Sequence, residues 1–151
     1  MKAIKIIAII IVTALVGIQF IPTERNQIEG NPLTDFRNVY EVPDTIQRRL
    51  EVSCYDCHSN NTYYPWYSNL QPIAWFLETH IKEGKSELNF NEWGHYSDRR
   101  KKSKLRSIIK QVKNNEMPLE SYTFIHGDAV LTTNDKKRLI IYMNKLQDSL
   151  E

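Results

Sequence analysis

The chain has 151 residues, of which 41% are hydrophobic and 25% are charged, and this length accommodates one domain rather than several. The formal charge of +2 is close to neutral, so the overall balance does not by itself indicate any class of partner. The distribution of apolar and charged residues along the chain is more informative.

An apolar run occupies residues 6–21, with two lysines before it and a proline after it. The run is a little shorter than the ~20 residues that cross a bilayer, although Lys5 can extend it by directing its ammonium group to the surface. Residues 19–23 are bulky where a signal peptidase requires small side chains. We therefore expect residues 1–22 to form an uncleaved membrane helix, with a removed signal peptide as the alternative. The lysines precede the run, so the positive-inside rule places the remaining chain outside the cytoplasm.

Residues 23–43 follow Pro22 and contain Gly30, Pro32 and Pro43 among polar residues, with little periodicity. This composition predicts an extended or only partly ordered linker. Asp44 then provides a helix N-cap, and Ile46 and Leu50 recur at helical spacing. We expect a single domain over residues 44–151, whose first helix leads into the motif described next.

The stretch Cys54-Tyr55-Asp56-Cys57-His58 has the spacing of a c-type haem attachment site. Two thiols three positions apart lie on one side of a helical turn, where each can form a thioether to a vinyl group of the porphyrin. The histidine that follows is then placed under the iron. Covalent attachment of this type occurs on the outer face of the bacterial inner membrane, in agreement with the orientation that the lysines predict.

Two cysteines at this spacing have three other interpretations. A structural zinc site requires a second pair of ligands at a matching spacing, and the other histidines stand alone. A thioredoxin-like dithiol requires a strand before the motif and a helix after it, and no such pattern surrounds it. A simple disulfide is the third alternative. The sequence favours haem over all three.

An aromatic cluster follows the motif around Pro65, consisting of Tyr63, Tyr64, Trp66 and Tyr67. Rings at this density are expected to pack against the porphyrin, with hydroxyl or indole groups near the propionates. Ordinary packing inside the fold is the alternative. The carbonyl of Pro65 or of a neighbour could accept the Nδ1 proton of His58 and so fix the imidazole ring.

Three further helices are predicted, and no run alternates with the period of a strand. The first begins with Pro72 at its N1 position, ends at Gly84 and carries His80, a competitor for the second axial position on the iron. The last runs over about residues 135–146, capped by Asn134 or Thr133. The predicted fold class is therefore all-α, a cytochrome c-like domain around one covalent haem.

The middle one of these helices is strongly basic, with apolar residues at helical spacing between the charges. Its cationic residues are Arg99, Arg100, Lys101, Lys102, Lys104, Arg106, Lys110 and Lys113. They form either a solvated face or a docking surface for an acidic redox partner or anionic lipid headgroups. Nucleic acid is not an expected partner outside the cytoplasm.

Met117 lies in a proline-containing loop about 60 residues after His58, the position of the second axial ligand in cytochromes c with methionine and histidine ligands. Met1 is the initiator, and Met143 falls on the apolar face of the last helix. Met117 is therefore the candidate ligand. The alternatives are a core-packing role for Met117 and ligation by His126 instead.

Together, several segments resemble the haem-binding domain family of small, N-terminally anchored, cytochrome c-like proteins. They are Gln19-Phe20-Ile21 with Glu24-Arg25-Asn26, Cys54–Asn60, Tyr64–Asn69, Leu88-Asn89-Phe90 with Trp93, and Glu116-Met117-Pro118-Leu119 with Tyr122. The resemblance implies one c-type haem bound through Cys54 and Cys57, with His58 as the proximal ligand.

Two classes of function are compatible with these residues. The first is electron transfer by an iron that His58 and Met117 coordinate, where the thioether ligand raises the potential relative to two histidines. The second is a haem enzyme such as a small peroxidase, or a ligand or redox sensor, with an open or displaceable distal position. No residue pairing identifies a peroxidase, and His126 is the one candidate distal base. The sequence favours the electron carrier.

Overall fold

The computed structural model describes residues 1–28 and 30–150. The helices are α1 (Lys2–Ile18), α2 (Phe36–Val39), α3 (Asp44–Leu50), α4 (Asp56–His58), α5 (Ile73–Glu87), α6 (Asp98–Lys113), α7 (Glu120–Thr123) and α8 (Thr133–Asp148). A π-helical turn, Glu51–Tyr55, joins α3 to α4, and 3-10 turns occupy Trp66–Asn69, Phe90–His95 and Gly127–Ala129. Across the described ranges there is no strand, only an isolated bridge between Gln27 and Asn61. The predicted all-α class is confirmed.

The core lies where α6 and α8 pack against each other and α3 packs against α8. Leu50, Leu105, Leu139 and Met143 are fully buried there. An aromatic group made of Phe36, Phe90 and Trp93 completes the core through edge-on and stacked ring contacts. Burial of side chains this large stabilises a fold by about 1.5–3 kcal/mol each. Because α3 belongs to this core, it fixes the position at which the π-helical turn and α4 begin.

Helix α3 has Pro43 rather than Asp44 as its N-cap, and two other helix boundaries differ more from the prediction. Helix α8 begins earlier than expected because the hydroxyl of Thr132 accepts from the backbone of Asp135, whose carboxylate accepts in return from the backbone of Thr132. Helix α5 continues past Gly84 to Glu87, so Gly84 does not end the helix. The reason for a glycine at that position is a close contact described below.

Helix α1 has 17 residues, and none of its side chains is buried. Among residues 1–28 and 30–150, no helix is both long enough and apolar enough to cross a membrane. The membrane helix expected over residues 1–22 therefore has no support in the structure.

The predicted linker, residues 23–43, contributes to the core. Asp35 and Phe36 are completely buried. Just before the linker, Gln19 and Gln71 exchange hydrogen bonds, one from the Gln19 amide to the Gln71 carbonyl at 3.1 Å and one from the Gln71 backbone to the Gln19 oxygen at 3.0 Å. Residue 29 lies outside the described residues. The division at residues 22 and 43 stays a prediction, but the linker is not a loose tether at Asp35 and Phe36.

Candidate haem site

The cysteine motif spans the junction between the π-helical turn and α4. Cys54 belongs to the turn, whereas Cys57 and His58 belong to α4. Both cysteines are free thiols and half-buried. Burial raises the pKa of Cys54 to about 12 and that of Cys57 to about 11, so both are neutral thiols at neutral pH. The two thiols are separate groups, one in the π-helical turn and one in α4.

The His58 ring is fixed by two backbone carbonyl groups of the neighbouring chain. Its Nδ1 lies 2.9 Å from the oxygen of Gly84 and 3.1 Å from the oxygen of Leu88. Carbonyl oxygens only accept, so Nδ1 carries the proton and donates to them. The lone pair of the neutral ring is therefore on Nε2, the atom that binds a metal in this tautomer. The prediction that Pro65 or a neighbour accepts this proton is wrong, since the acceptors come from α5 and the residue after it.

The electrostatic environment keeps His58 neutral. Burial lowers its pKa, the positive charge of Lys104 lowers it further, and the two backbone hydrogen bonds act in the opposite direction without reversing the shift. A lowered pKa means that the ring is deprotonated at neutral pH. Neutral imidazole is the form that coordinates iron.

Gly84 permits the close approach that these hydrogen bonds require. A Cβ atom at this position would lie 2.7 Å from the carbonyl oxygen of Cys57 and 3.3 Å from its Cβ. That distance to a backbone atom is shorter than any ordinary contact, so a side chain would push α5 away from α4. The glycine therefore serves the packing of α5 on the motif, and its own carbonyl accepts from His58.

Behind the motif lies a buried polar cluster that the sequence analysis missed. The carboxylate of Asp35 accepts hydrogen bonds from the hydroxyl of Tyr55 at 3.1 Å, the amide of Asn91 at 2.6 Å and the guanidinium of Arg37 at 2.8 Å. The amide oxygen of Asn91 accepts in turn from the backbone of Asn60, two residues after His58. These bonds join the linker, the motif and the turn at Phe90. In the sequence, the pair of asparagines that flank Phe90 is the feature that could have indicated this cluster.

The aromatic cluster divides into two groups. The hydroxyl of Tyr64 accepts from the backbone of Asn26 at 2.8 Å, so Tyr64 holds the segment after α1. The hydroxyl of Tyr67 lies 2.5 Å from Nε2 of His126. Trp66 packs edge-on against Tyr67 and is 77% exposed. A tryptophan ring this exposed provides apolar surface next to the motif, where a flat hydrophobic ligand can pack.

Tyr122 connects α7 to the motif. Its hydroxyl donates to the carboxylate of Asp56 at 2.7 Å, and its ring stacks on His126 with centroids 4.3 Å apart. Burial and the bond to this carboxylate raise the pKa of Tyr122, so the phenol stays protonated and acts as the donor. Neighbouring Phe124 and Ile125 are exposed.

Met117 is half-buried in the segment between α6 and α7, and five residues later Tyr122 reaches the motif. Two of the other histidines make contacts of their own. Nδ1 of His80 lies 2.8 Å from the carbonyl oxygen of Phe76 on its own helix, and His126 has its Nε2 engaged by Tyr67. His95 is exposed at the end of a 3-10 turn. The chain thus brings Cys54, Cys57 and His58 together.

The residues present suit a haem group. Two free thiols can bind it covalently, an oriented imidazole nitrogen can coordinate iron, and exposed aromatic rings can cover the porphyrin. Within the described part of the chain, no group of three or more His, Cys, Asp or Glu side chains is arranged to hold a metal ion directly.

Comparison with known proteins gives one match. Neither the curated proteins nor the solved structures contain a match to this chain. A family model described as a haem-binding domain matches residues 13–145, which is most of the chain and includes the motif, Met117 and Tyr122. The chain therefore belongs to the haem-binding domain family, and haem is its ligand.

Proposed function

We propose that this protein is a monohaem c-type electron carrier, with thioether bonds at Cys54 and Cys57 and axial ligation by His58 and Met117. The observation that carries the proposal is the donation from His58 Nδ1 to Gly84 and Leu88, which leaves Nε2 as the ligand atom. A ring fixed in this way needs little rearrangement when the iron changes its oxidation state.

When bound, haem supplies an iron that cycles between Fe(III) and Fe(II), accepting one electron from a donor and passing it to an acceptor. The chain supplies the rest. Cys54 and Cys57 would hold the porphyrin through thioether bonds, and Nε2 of His58 and the thioether sulfur of Met117 would coordinate its iron. The aromatic side chains exclude water from part of the porphyrin, and a thioether ligand favours the reduced state relative to a second imidazole.

The alternative of a small peroxidase or a ligand sensor requires an open distal position, and a peroxidase also requires a free base there. His126 is the candidate base. Its Nε2 is within hydrogen-bond distance of Tyr67, and its ring is stacked on Tyr122. These contacts disfavour a free base, so we assign the electron carrier as the function.

We also propose that the domain acts outside the cytoplasm, at the outer face of a bacterial inner membrane. The support is the covalent motif, which is loaded with haem in that compartment, and the apolar segment after Lys2 and Lys5. The segment would act as an anchor or as a removed signal. Fractionation of cells that produce the full chain tests this location, and haem-loaded protein in the cytoplasm would contradict it.

An acidic redox protein is the proposed partner, and it would dock on the basic face of α6. Arg99, Arg106, Lys110 and Lys113 are exposed on this helix. Lys104, on the same helix, is close enough to His58 to lower its pKa, so α6 passes near the site. Reversing the charges of Arg106, Lys110 and Lys113 should slow reduction by an acidic partner several-fold at low salt and remove its salt dependence. An unchanged rate would mean that the face is only solvated.

The proposed function is tested by denaturing mass spectrometry and by a potentiometric titration of the haem-loaded protein. We expect one haem to stay with the denatured chain and one reversible one-electron transition. Cys54→Ala and Cys57→Ala variants should each lose one of the two thioether bonds. Haem that dissociates from the denatured wild-type chain would overturn the covalent assignment, and rapid turnover of peroxide would favour the enzyme.

A further inference from the structure

The carboxylate of Asp56, between the two cysteines, binds two separate segments of the chain. One oxygen accepts from the backbone N–H of Tyr63 at 3.0 Å, and the other accepts from the hydroxyl of Tyr122 at 2.7 Å. The same hydroxyl is 3.3 Å from the carbonyl oxygen of Val52, a longer and weaker contact. Hydrogen bonds to a charged acceptor are about twice as strong as those between neutral groups. Helix α7 is thus attached directly to the turn that carries the thiols.

The segment with Met117 is short and is held at both of its ends. At its start, the backbone of Glu116 donates to the carbonyl of Gln111 at 2.9 Å, after Asn115 has turned the chain in the left-handed region with a φ of 62°. At its other end, α7 begins at Glu120, and Tyr122 makes the bond to Asp56. Of these two attachments, the one through Tyr122 reaches the motif.

A second contact supports the same attachment. The ring of His126 stacks on that of Tyr122 with an interplanar angle of 19°, and its Nε2 lies 2.5 Å from the hydroxyl of Tyr67. Tyr67 belongs to the 3-10 turn Trp66–Asn69, which follows the motif in the chain, so this contact connects His126 to the same part of the fold. The stack limits the rotation of Tyr122 and keeps its hydroxyl directed at Asp56.

We propose that Asp56 and Tyr122 are positioning residues for the second axial ligand, because their hydrogen bond holds the Met117 segment against the cysteine motif. This inference rests on the proposed ligation by His58 and Met117 and adds to it. Asp56, which lies between the two cysteines, would then help to position the ligand that His58 does not supply. Breaking the bond releases the Met117 segment and leaves His58 in place.

The test uses the full-length, haem-loaded, oxidised protein with Tyr122→Phe, which removes the hydroxyl and keeps the stacked ring. Imidazole, a ligand that competes with the Met117 thioether, should bind about tenfold more tightly to the variant. The weak far-red absorption band of sulfur bound to Fe(III) should lose intensity, and the backbone amides of residues 114–124 should exchange faster with deuterium. Asp56→Asn keeps one acceptor oxygen and should have a smaller effect in the same direction.

Tyr142→Phe is the matched control, because the hydroxyl of Tyr142 contacts the carbonyl of Glu41 at 3.2 Å and not the motif. It should leave imidazole binding and the far-red band unchanged. If Tyr122→Phe behaves like this control while Met117→Ala abolishes the band, the positioning role is wrong and the proposed ligation stands. If Met117→Ala keeps the band, the ligation itself is wrong, and the positioning role falls with it.

Discussion

The two sides of the candidate haem site are held in different ways. The proximal side, defined here as His58 with its supports in residues 84–91 and the Asp35 cluster, is built into the core. There the imidazole has two backbone acceptors, and Asp35, Asn89 and Asn91 are almost completely buried. The distal side, defined as Met117 with α7 and His126, is half-buried, and the bond between Tyr122 and Asp56 connects it to the motif.

This difference in support means that the fold fixes the position of His58 more firmly than that of Met117. Rearranging the proximal side would disrupt several buried hydrogen bonds at once, and each unsatisfied buried group costs about 1–3 kcal/mol. Rearranging the distal side would break fewer and partly exposed bonds, which contribute about 1 kcal/mol between neutral groups and about 1.5–3 kcal/mol for the bond to the Asp56 carboxylate. Under the proposed ligation, a proximal ligand fixed by the core and a distal ligand held by fewer bonds would allow the second position to be exchanged without unfolding. The following changes test this contrast.

Asp35→Ala should have the largest effect, because it leaves the guanidinium of Arg37 and the amide of Asn91 without their common acceptor. We expect the free energy of unfolding to fall by about 2–6 kcal/mol, because the buried hydroxyl of Tyr55 and amide of Asn91 each lose an acceptor at about 1–3 kcal/mol, whereas Arg37 keeps its bond to Glu51. Chemical denaturation of the haem-loaded protein measures this change. Asp148→Ala, at an exposed position near the end of α8, is the control and should change stability little. A loss no greater than that of the control would show that the proximal side is not supported by the Asp35 cluster.

Gly84→Ala should come next, since its methyl group would lie 2.7 Å from the carbonyl oxygen of Cys57. Relief of that overlap must move α5 and lengthen the bonds from His58, at a cost of about 1–3 kcal/mol in the free energy of unfolding. The spectrum of the bound haem should report a disturbed proximal histidine. Gly127→Ala is the matched control because no atom lies within 4 Å of its Cβ position. Equal stability of the two variants would contradict the close packing of α5 on α4.

Tyr67→Phe should have the smallest effect on stability, about 1 kcal/mol or less, since it removes one partly exposed hydrogen bond to His126. It should nevertheless raise the affinity for added imidazole, because His126 and Tyr122 lose part of their support. Thermal unfolding and ligand titration of the same sample separate the two effects. If Tyr67→Phe lost as much stability as Asp35→Ala, the two sides would be held equally firmly, and the contrast would be wrong.

The sequence predicted the elements that depend on local spacing. The all-α class and the basic amphipathic helix follow from a periodicity of apolar residues that short segments already display. The family resemblance was likewise confirmed by the match over residues 13–145. The thiols and the histidine of the motif are brought together because five consecutive residues on a helical turn need no tertiary contact to be neighbours.

The contacts that fix the site depend on residues far apart in the chain. Gly84 was interpreted as a helix end, since a glycine near the end of an apolar periodicity usually marks one. Its position opposite Cys57 follows from how α5 docks on α4, which no local pattern encodes. The acceptor for His58, assigned to Pro65, is likewise set by tertiary packing. Asp35 was assigned to a linker because its neighbours are polar, although long-range hydrogen bonds bury it.

The most direct test of the account is the absorption spectrum of the oxidised and reduced haem-loaded protein, compared between the wild type and Met117→Ala. Ligation by His58 and Met117 predicts a low-spin wild type with the weak far-red band of iron-bound sulfur in the oxidised state. The band should disappear in Met117→Ala, while the covalent haem is retained. A high-spin wild type, or a spectrum indifferent to Met117, would contradict the ligand assignment and favour a sensor, an enzyme or ligation by two histidines.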